Sequence, residues 1–159
     1  MPSIVDPLNA LVALQEALDE CSVVMRRCDL HPELAVYLDH PLGSPRFTYA
    51  VVVNGRVQAI ALLTPAERIE GIPCFQIGYA VIESMRSRGL AKRTALHAID
   101  ELRNGLQRNG VGRFYVEAIV SKLNVASNAV ARQILSEDPS EGTDEHSGEA
   151  IFQYAKLID

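Results

Sequence analysis

The stretch RFTYAVVVNGRVQAIALL, residues 46–63, constrains the fold more than any other. Its β-branched and apolar residues are interrupted once, by Asn54-Gly55, a pair that readily takes the positive φ angles of a type I′ turn. Two strands joined that way lie antiparallel, so the chain contains a sheet with a hairpin in it. A further strand, about 74–82, runs into the basic segment MRSRGLAKR (85–93). From there Leu90, Thr94, Ala95, Ala98, Ile99, Leu102 and Leu106 make one apolar stripe at helical spacing. RFYVEAIV (113–120) then returns as a strand. A strand–helix–strand unit favours parallel neighbours, so the sheet is mixed.

The flanking segments supply more helices. Asp6 followed by Pro7 gives an N-cap with proline at the first helical position. Leu8, Leu11, Val12, Leu14 and Leu18 then predict a helix over about 7–20. His31-Pro32-Glu33 predicts a shorter second helix that stops before Pro41. Gly110 suits the end of the long helix that starts at Leu90. Asn124 opens NVASNAVARQIL, whose apolar contacts are Val125, Val130, Ile134 and Leu135, and AIFQYAKLI (150–158) reads as a closing strand. No repeat or linker marks a second domain. The expected fold class is therefore α/β (α+β): one domain over 1–159, a mixed sheet, and four helices.

Composition narrows the function classes. The chain has no apolar run long enough for a membrane span, and MPSIVDPLNA lacks the basic region and apolar core of a signal peptide. Cys21, Cys28 and Cys74 form no CxxC pair, which suits reduced thiols in the cytoplasm. A pI near 5.4 weighs against a nucleic-acid surface. The segment SEDPSEGTDEHSGE (136–149) carries Glu137, Asp138, Glu141, Asp144, Glu145 and Glu149 with no Lys or Arg. It reads as a mobile, solvated loop; the alternative is an acidic gate attracting a cationic substrate. His31, His40, His97 and His146 show no metal-ligand spacing, so no metal is expected.

The chemistry concentrates at RSRGLA. The first turn of a helix leaves backbone N–H groups unpaired, and its dipole end is positive. Gly89, without a Cβ, permits close approach of an anion, and the small Ala91 leaves the first turn unscreened. Arg86, Arg88, Lys92 and Arg93 add charge-assisted donors. Basic residues here oppose the helix dipole, so scaffold stability alone does not explain them. A basic, solvent-facing helix start is the rival reading.

IGYAV before this loop, RSRGLA at it, and NVASNAVARQIL about thirty residues on resemble the GNAT superfamily of acyl-CoA-dependent N-acetyltransferases. The similarity spans about residues 46–135 and is strongest to the branch that acetylates ribosomal-protein N-termini. The resemblance implies a mostly antiparallel sheet splayed at an acetyl-CoA site. Arg86, Arg88, Gly89, Leu90, Ala91 and Lys92 would form the pyrophosphate arm. Tyr79, Ala80, Val81 and Ile82 would pair with pantetheine through their backbone, with a donor N–H near Val81 facing the thioester oxygen. Asn124 would bind the pantetheine arm and Ser127 would sit near the departing thiol. As plain structure, Asn124 is a helix cap and Ser127 a helix-surface hydroxyl.

Several positions depart from the family pattern. Gln76 stands where the branch often carries Glu, and Ala131 where many members carry a Tyr acid. Leu135-Ser136 replaces the usual Gly-Phe, and the final hairpin looks shortened. Candidate bases are Glu117, Glu83 or a water relay; Glu117 reads equally well as a strand-face charge. The expectation is a cytoplasmic enzyme moving acetyl from acetyl-CoA to a primary amine of a protein N-terminus, a lysine or a small molecule, by direct attack. A homodimer is compatible with it. The rivals are a noncatalytic acyl-CoA-binding or partner-binding module, and a purely structural domain.

Overall fold

A computed structural model describes residues 6–159; residues 1–5, part of the segment read as lacking a leader, lie outside it. Helix α1 (Pro7–Asp19) starts as the Asp6-Pro7 pair requires, with the Asp6 carboxylate accepting from the Leu8 N–H at 2.8 Å. Eight strands follow in one sheet: β1 (Arg26–Arg27), β2 (Leu34–Asp39), β3 (Arg46–Val53), β4 (Arg56–Ile69), β5 (Ile72–Val81), β6 (Phe114–Ser121), β7 (Ser140–Thr143) and β8 (Ala150–Ile158). Their spatial order is β1-β2-β3-β4-β5-β6-β8-β7. Helix α2 (Leu90–Arg108) crosses from β5 to β6, and α3 (Val125–Ile134) follows β6.

All sheet neighbours are antiparallel except β5 and β6, the pair joined by the α2 crossover. The β3–β4 hairpin turns at Asn54 (φ 51°) and Gly55 (φ 77°), both left-handed as a type I′ turn demands. Two cores cover the two faces of the sheet. One packs Ala95, Ala98, Ile99 and Leu102 of α2 and Ala131 and Ile134 of α3 against Phe75, Ile77, Val116 and Ala118. The other packs Leu11 and Leu14 of α1 against Ala50, Val57, Ile60 and Leu62.

Three expectations are corrected. Among the described residues there are three α-helices rather than four, because residues 34–39 form strand β2. Pro32 lies in a turn closed by the Leu34 N–H donating to His31 O, and LAVYLD then pairs with β3 over its whole length. The acidic segment is also not loop throughout: Ser140–Thr143 forms the edge strand β7 on β8. Asp144 builds the turn between them, accepting from the His146 and Ser147 N–H groups at 2.7 and 3.2 Å. Those two N–H groups hold the Asp144 carboxyl below its ordinary value, and Lys122 does the same to Glu141. Finally, Val125 is exposed rather than a core contact of α3.

Candidate active site

β5 and β6 start as parallel neighbours but pair over only three positions, the last being Gln76 opposite Glu117. Both strands continue, β5 to Val81 and β6 to Ser121, and a cavity of about 810 Å³ opens between them. Gly78 to Val81 form one wall and Ala118 to Ser121 the other; Gly89 to Lys92 close one end and Asn124 and Ser127 the opposite side. Diverging strands leave main-chain groups facing the gap, which an extended ligand can pair with as a further strand would.

The basic end of the cavity has the shape of an anion cradle. Ser87 (φ 62°) and Gly89 (φ 73°) are both left-handed, and Gly89 is the N-cap of α2 without any side-chain cap. The first-turn N–H groups of α2 are thus left open at the positive end of a long helix. A Cβ built on Gly89 would meet nothing within 4 Å. Arg86 Nε donates to Val81 O at 3.1 Å, which anchors its guanidinium at the strand end, and Lys92 also lines the cavity. Arg88 is exposed and outside the lining, and Ile82 turns toward the α1 core.

The middle of the cavity carries two hydroxyls. Tyr79 Oη donates to Ser127 O at 2.7 Å, and Ser127 Oγ donates to Tyr79 Oη at 3.1 Å. Burial pushes the phenol above its ordinary value, with Ser127 opposing, so it stays protonated at neutral pH. Asn124 caps α3 by accepting from the Ser127 N–H at 3.1 Å. Asn124 also lines the cavity. Buried Asn128 braces this end: its amide donates to Ser121 O and Asn124 O, both at 2.9 Å, and it accepts from Tyr154 Oη at 2.6 Å.

Glu117 lies elsewhere. Along β6 the flanking Val116 and Ala118 enter the α2/α3 core, so Glu117 faces the other side of the sheet, with Gln76 beside it. It is buried, outside the cavity lining, and accepts from Gln153 Nε2 at 2.7 Å. On that same face Gly78 approaches α1 so closely that a Cβ would stand 2.9 Å from Pro7 Cγ. Gln133, Val130 and the side chain of Tyr79 are cavity residues that the sequence did not single out. The Tyr79 hydroxyl could have been found from the strand period: it alternates with Gly78 and Ala80, toward the helices.

The fold itself recurs in solved structures. The chain has the GNAT acetyltransferase fold. RimL, a ribosomal L7/L12 alpha-N-protein acetyltransferase, matches over 72% of this chain and 70% of its own in an apo crystal form, at 23% identity and a TM-score of 0.51. A GNAT-family acetyltransferase from Streptococcus pneumoniae matches over 99% of this chain and 98% of its own, at 15% identity and a TM-score of 0.51. The ribosomal-protein-S5-alanine acetyltransferase of Vibrio fischeri gives 0.53 at 14% identity, over 73% of this chain and 62% of its own. No family model matches the sequence, and no curated protein is detectably similar to it. No helix among the described residues is long and apolar enough to cross a membrane.

Proposed function

We propose that the chain is an acetyl-CoA-dependent N-acetyltransferase that transfers acetyl to a primary amine by direct attack. The observation that carries this reading is one cavity with a splayed strand pair along its length and an uncapped, left-handed cradle at Gly89 at its end. The long shape suits pantetheine, and the cradle suits a pyrophosphate.

In this reading the N–H groups of Gly89 to Lys92 and the side chains of Arg86 and Lys92 hold the pyrophosphate, and Arg88 serves as a peripheral charge. The backbone of Tyr79 to Val81 aligns pantetheine, and an N–H near Val81 polarises the thioester carbonyl. The amine lone pair forms the new C–N bond as the C–S bond breaks. The nitrogen loses a proton and the sulfur gains one. Ser127 and Tyr79, joined by their hydroxyls, supply the proton to sulfur, so Tyr79 fills the role left vacant by buried Ala131. Glu117 stands outside the cavity lining, so in this reading it receives the amine proton through a water relay rather than by contact. The free thiols of Cys21, Cys28 and Cys74 suit a cytoplasmic setting.

Two of the similar structures are named for acetylating ribosomal proteins, so peptide N-termini are the first acceptors to try. Thiol release from acetyl-CoA should be followed across N-terminal peptides, lysine peptides and small amines. Turnover on one class supports the enzyme. The second reading, a noncatalytic acyl-CoA-binding module, is motivated by Gln76 and Ala131 at positions without an ionisable group; tight acetyl-CoA binding with no turnover on any acceptor would establish it instead.

A further inference from the structure

Away from this cavity, the fold brings together three side chains that sequence spacing does not connect. His31 and Glu33, in and after the turn that leads into β2, meet His97 on the side of α2. The two imidazoles stack with centroids 3.7 Å apart and planes 7° from parallel. His97 Nδ1 is 3.0 Å from Glu33 Oε1, and His31 Nδ1 is 3.8 Å from the same oxygen. One ligating atom from each residue lies within 4.8 Å of the others.

The surroundings fix how these groups face. His31 Nε2 lies 3.1 Å from Asp100 Oδ2, an acceptor only, so the tautomer with its hydrogen on Nε2 donates to Asp100 and leaves Nδ1 toward Glu33. The turn itself is anchored. Buried Glu101 accepts from the Leu30 N–H at 2.8 Å and the His31 N–H at 2.7 Å, and Arg108 pairs with Asp29 at 3.2 Å. His31 is thus held from behind by a carboxylate, the arrangement that orients a metal-bound imidazole.

We propose that His31, Glu33 and His97 bind a divalent transition cation of the zinc class, through His31 Nδ1, Glu33 Oε1 and His97 Nδ1. Two nitrogens and one carboxylate oxygen suit zinc, with water as a fourth ligand on the solvent side. Metal–ligand bonds of about 2.0–2.2 Å span separations of this size once the two rings turn from stacked to convergent. Ligation through His97 Nδ1 places the ring hydrogen on Nε2. The bound cation would clip the turn before β2 to the middle of α2, the helix whose first turn closes the candidate active site.

The test is calorimetric titration of the untagged full chain with Zn²⁺, with thermal melting in parallel. One saturable equivalent is expected, with a melting temperature that rises with Zn²⁺ concentration. His97→Ala and Glu33→Gln should each weaken binding at least about tenfold, and Asp100→Asn about tenfold by loosening His31. Cys21→Ser, which removes the exposed thiol, should change nothing. If His97→Ala fails to fold, the solvent-facing Glu33→Gln carries the comparison. No one-to-one binding up to ~1 mM, or equal binding by the Glu33→Gln chain, would overturn the proposal.

Discussion

Tyr79 and Ser127 are joined by two hydrogen bonds across the mouth of the splayed strands, the phenol donating to the Ser127 carbonyl and the serine hydroxyl donating to the phenol. The pair ties β5 to α3 and puts two protonated hydroxyls beside the proposed thioester. If they deliver the proton to sulfur, Tyr79→Phe should lower kcat by about 10²-fold, within the usual range for general acid catalysis. Ser127→Ala should act in the same direction. Steady-state kinetics with acetyl-CoA binding measured alongside checks this: the affinity should stay within a few-fold, because neither hydroxyl is assigned to holding the cofactor.

Glu117 makes a separate prediction. Its carboxylate is buried and bonded to the Gln153 amide, and among the described residues it has no salt-bridge partner. Glu117→Gln preserves shape and removes basicity, so kcat should fall by about 10²-fold at neutral pH and recover in part as pH rises and more amine is free. A flat pH profile identical to the parent chain's would make Glu117 a strand-face charge and nothing more.

The thiols set the alkaline limit of stability. Burial pushes Cys28 and Cys74 up to about 12, helped by Glu101 at the first and Glu117 at the second. A thiol whose folded pKa is raised favours folding at every pH below its unfolded value of 9.0, and that contribution is lost as pH climbs toward 12. Urea midpoints should therefore hold level to about pH 8 and decline above pH 9, by ~1 kcal/mol per thiol at pH 10. Cys28→Ala and Cys74→Ala should each shed part of that slope. Under native conditions Cys21 should alkylate first.

Gly78 is a packing prediction. A methyl there would stand 2.9 Å from the Pro7 ring at the start of α1. Gly78→Ala should destabilise by about 1–3 kcal/mol, read from denaturant midpoints, unless the first turn of α1 moves away.

How much of this was legible in the sequence depends on where each element buries its surface. The 46–63 hairpin, α2 and α3 announced themselves because one side of each is apolar and the turn or cap residues agree with it. β2 did not: Pro32 after His31 looks like a helix start, and only the pairing of Leu34–Asp39 with β3 decides otherwise. β7 gave no signal because it is an exposed, polar edge strand whose hydrogen bonds come from β8. At the candidate site, the uncapped Gly89 start of α2 and the Asn124 cap of α3 were readable from local chemistry. The Tyr79–Ser127 hydrogen bonds and the His31–His97 stack were not, since both depend on contacts between distant segments.

The central claim is that the Gly89 cradle and the strand gap together bind acetyl-CoA, and calorimetric titration with acetyl-CoA tests it most directly. The parent chain should bind one equivalent. Gly89→Glu, which sets a carboxylate into the open space in front of the α2 N-terminus, should weaken that binding at least tenfold, given the repulsion of like charges there. Strain at the left-handed φ costs about 1–2 kcal/mol, so melting must confirm that the variant is folded. Absence of binding by the parent chain at high micromolar acetyl-CoA, or unchanged affinity in a folded Gly89→Glu chain, would contradict the account.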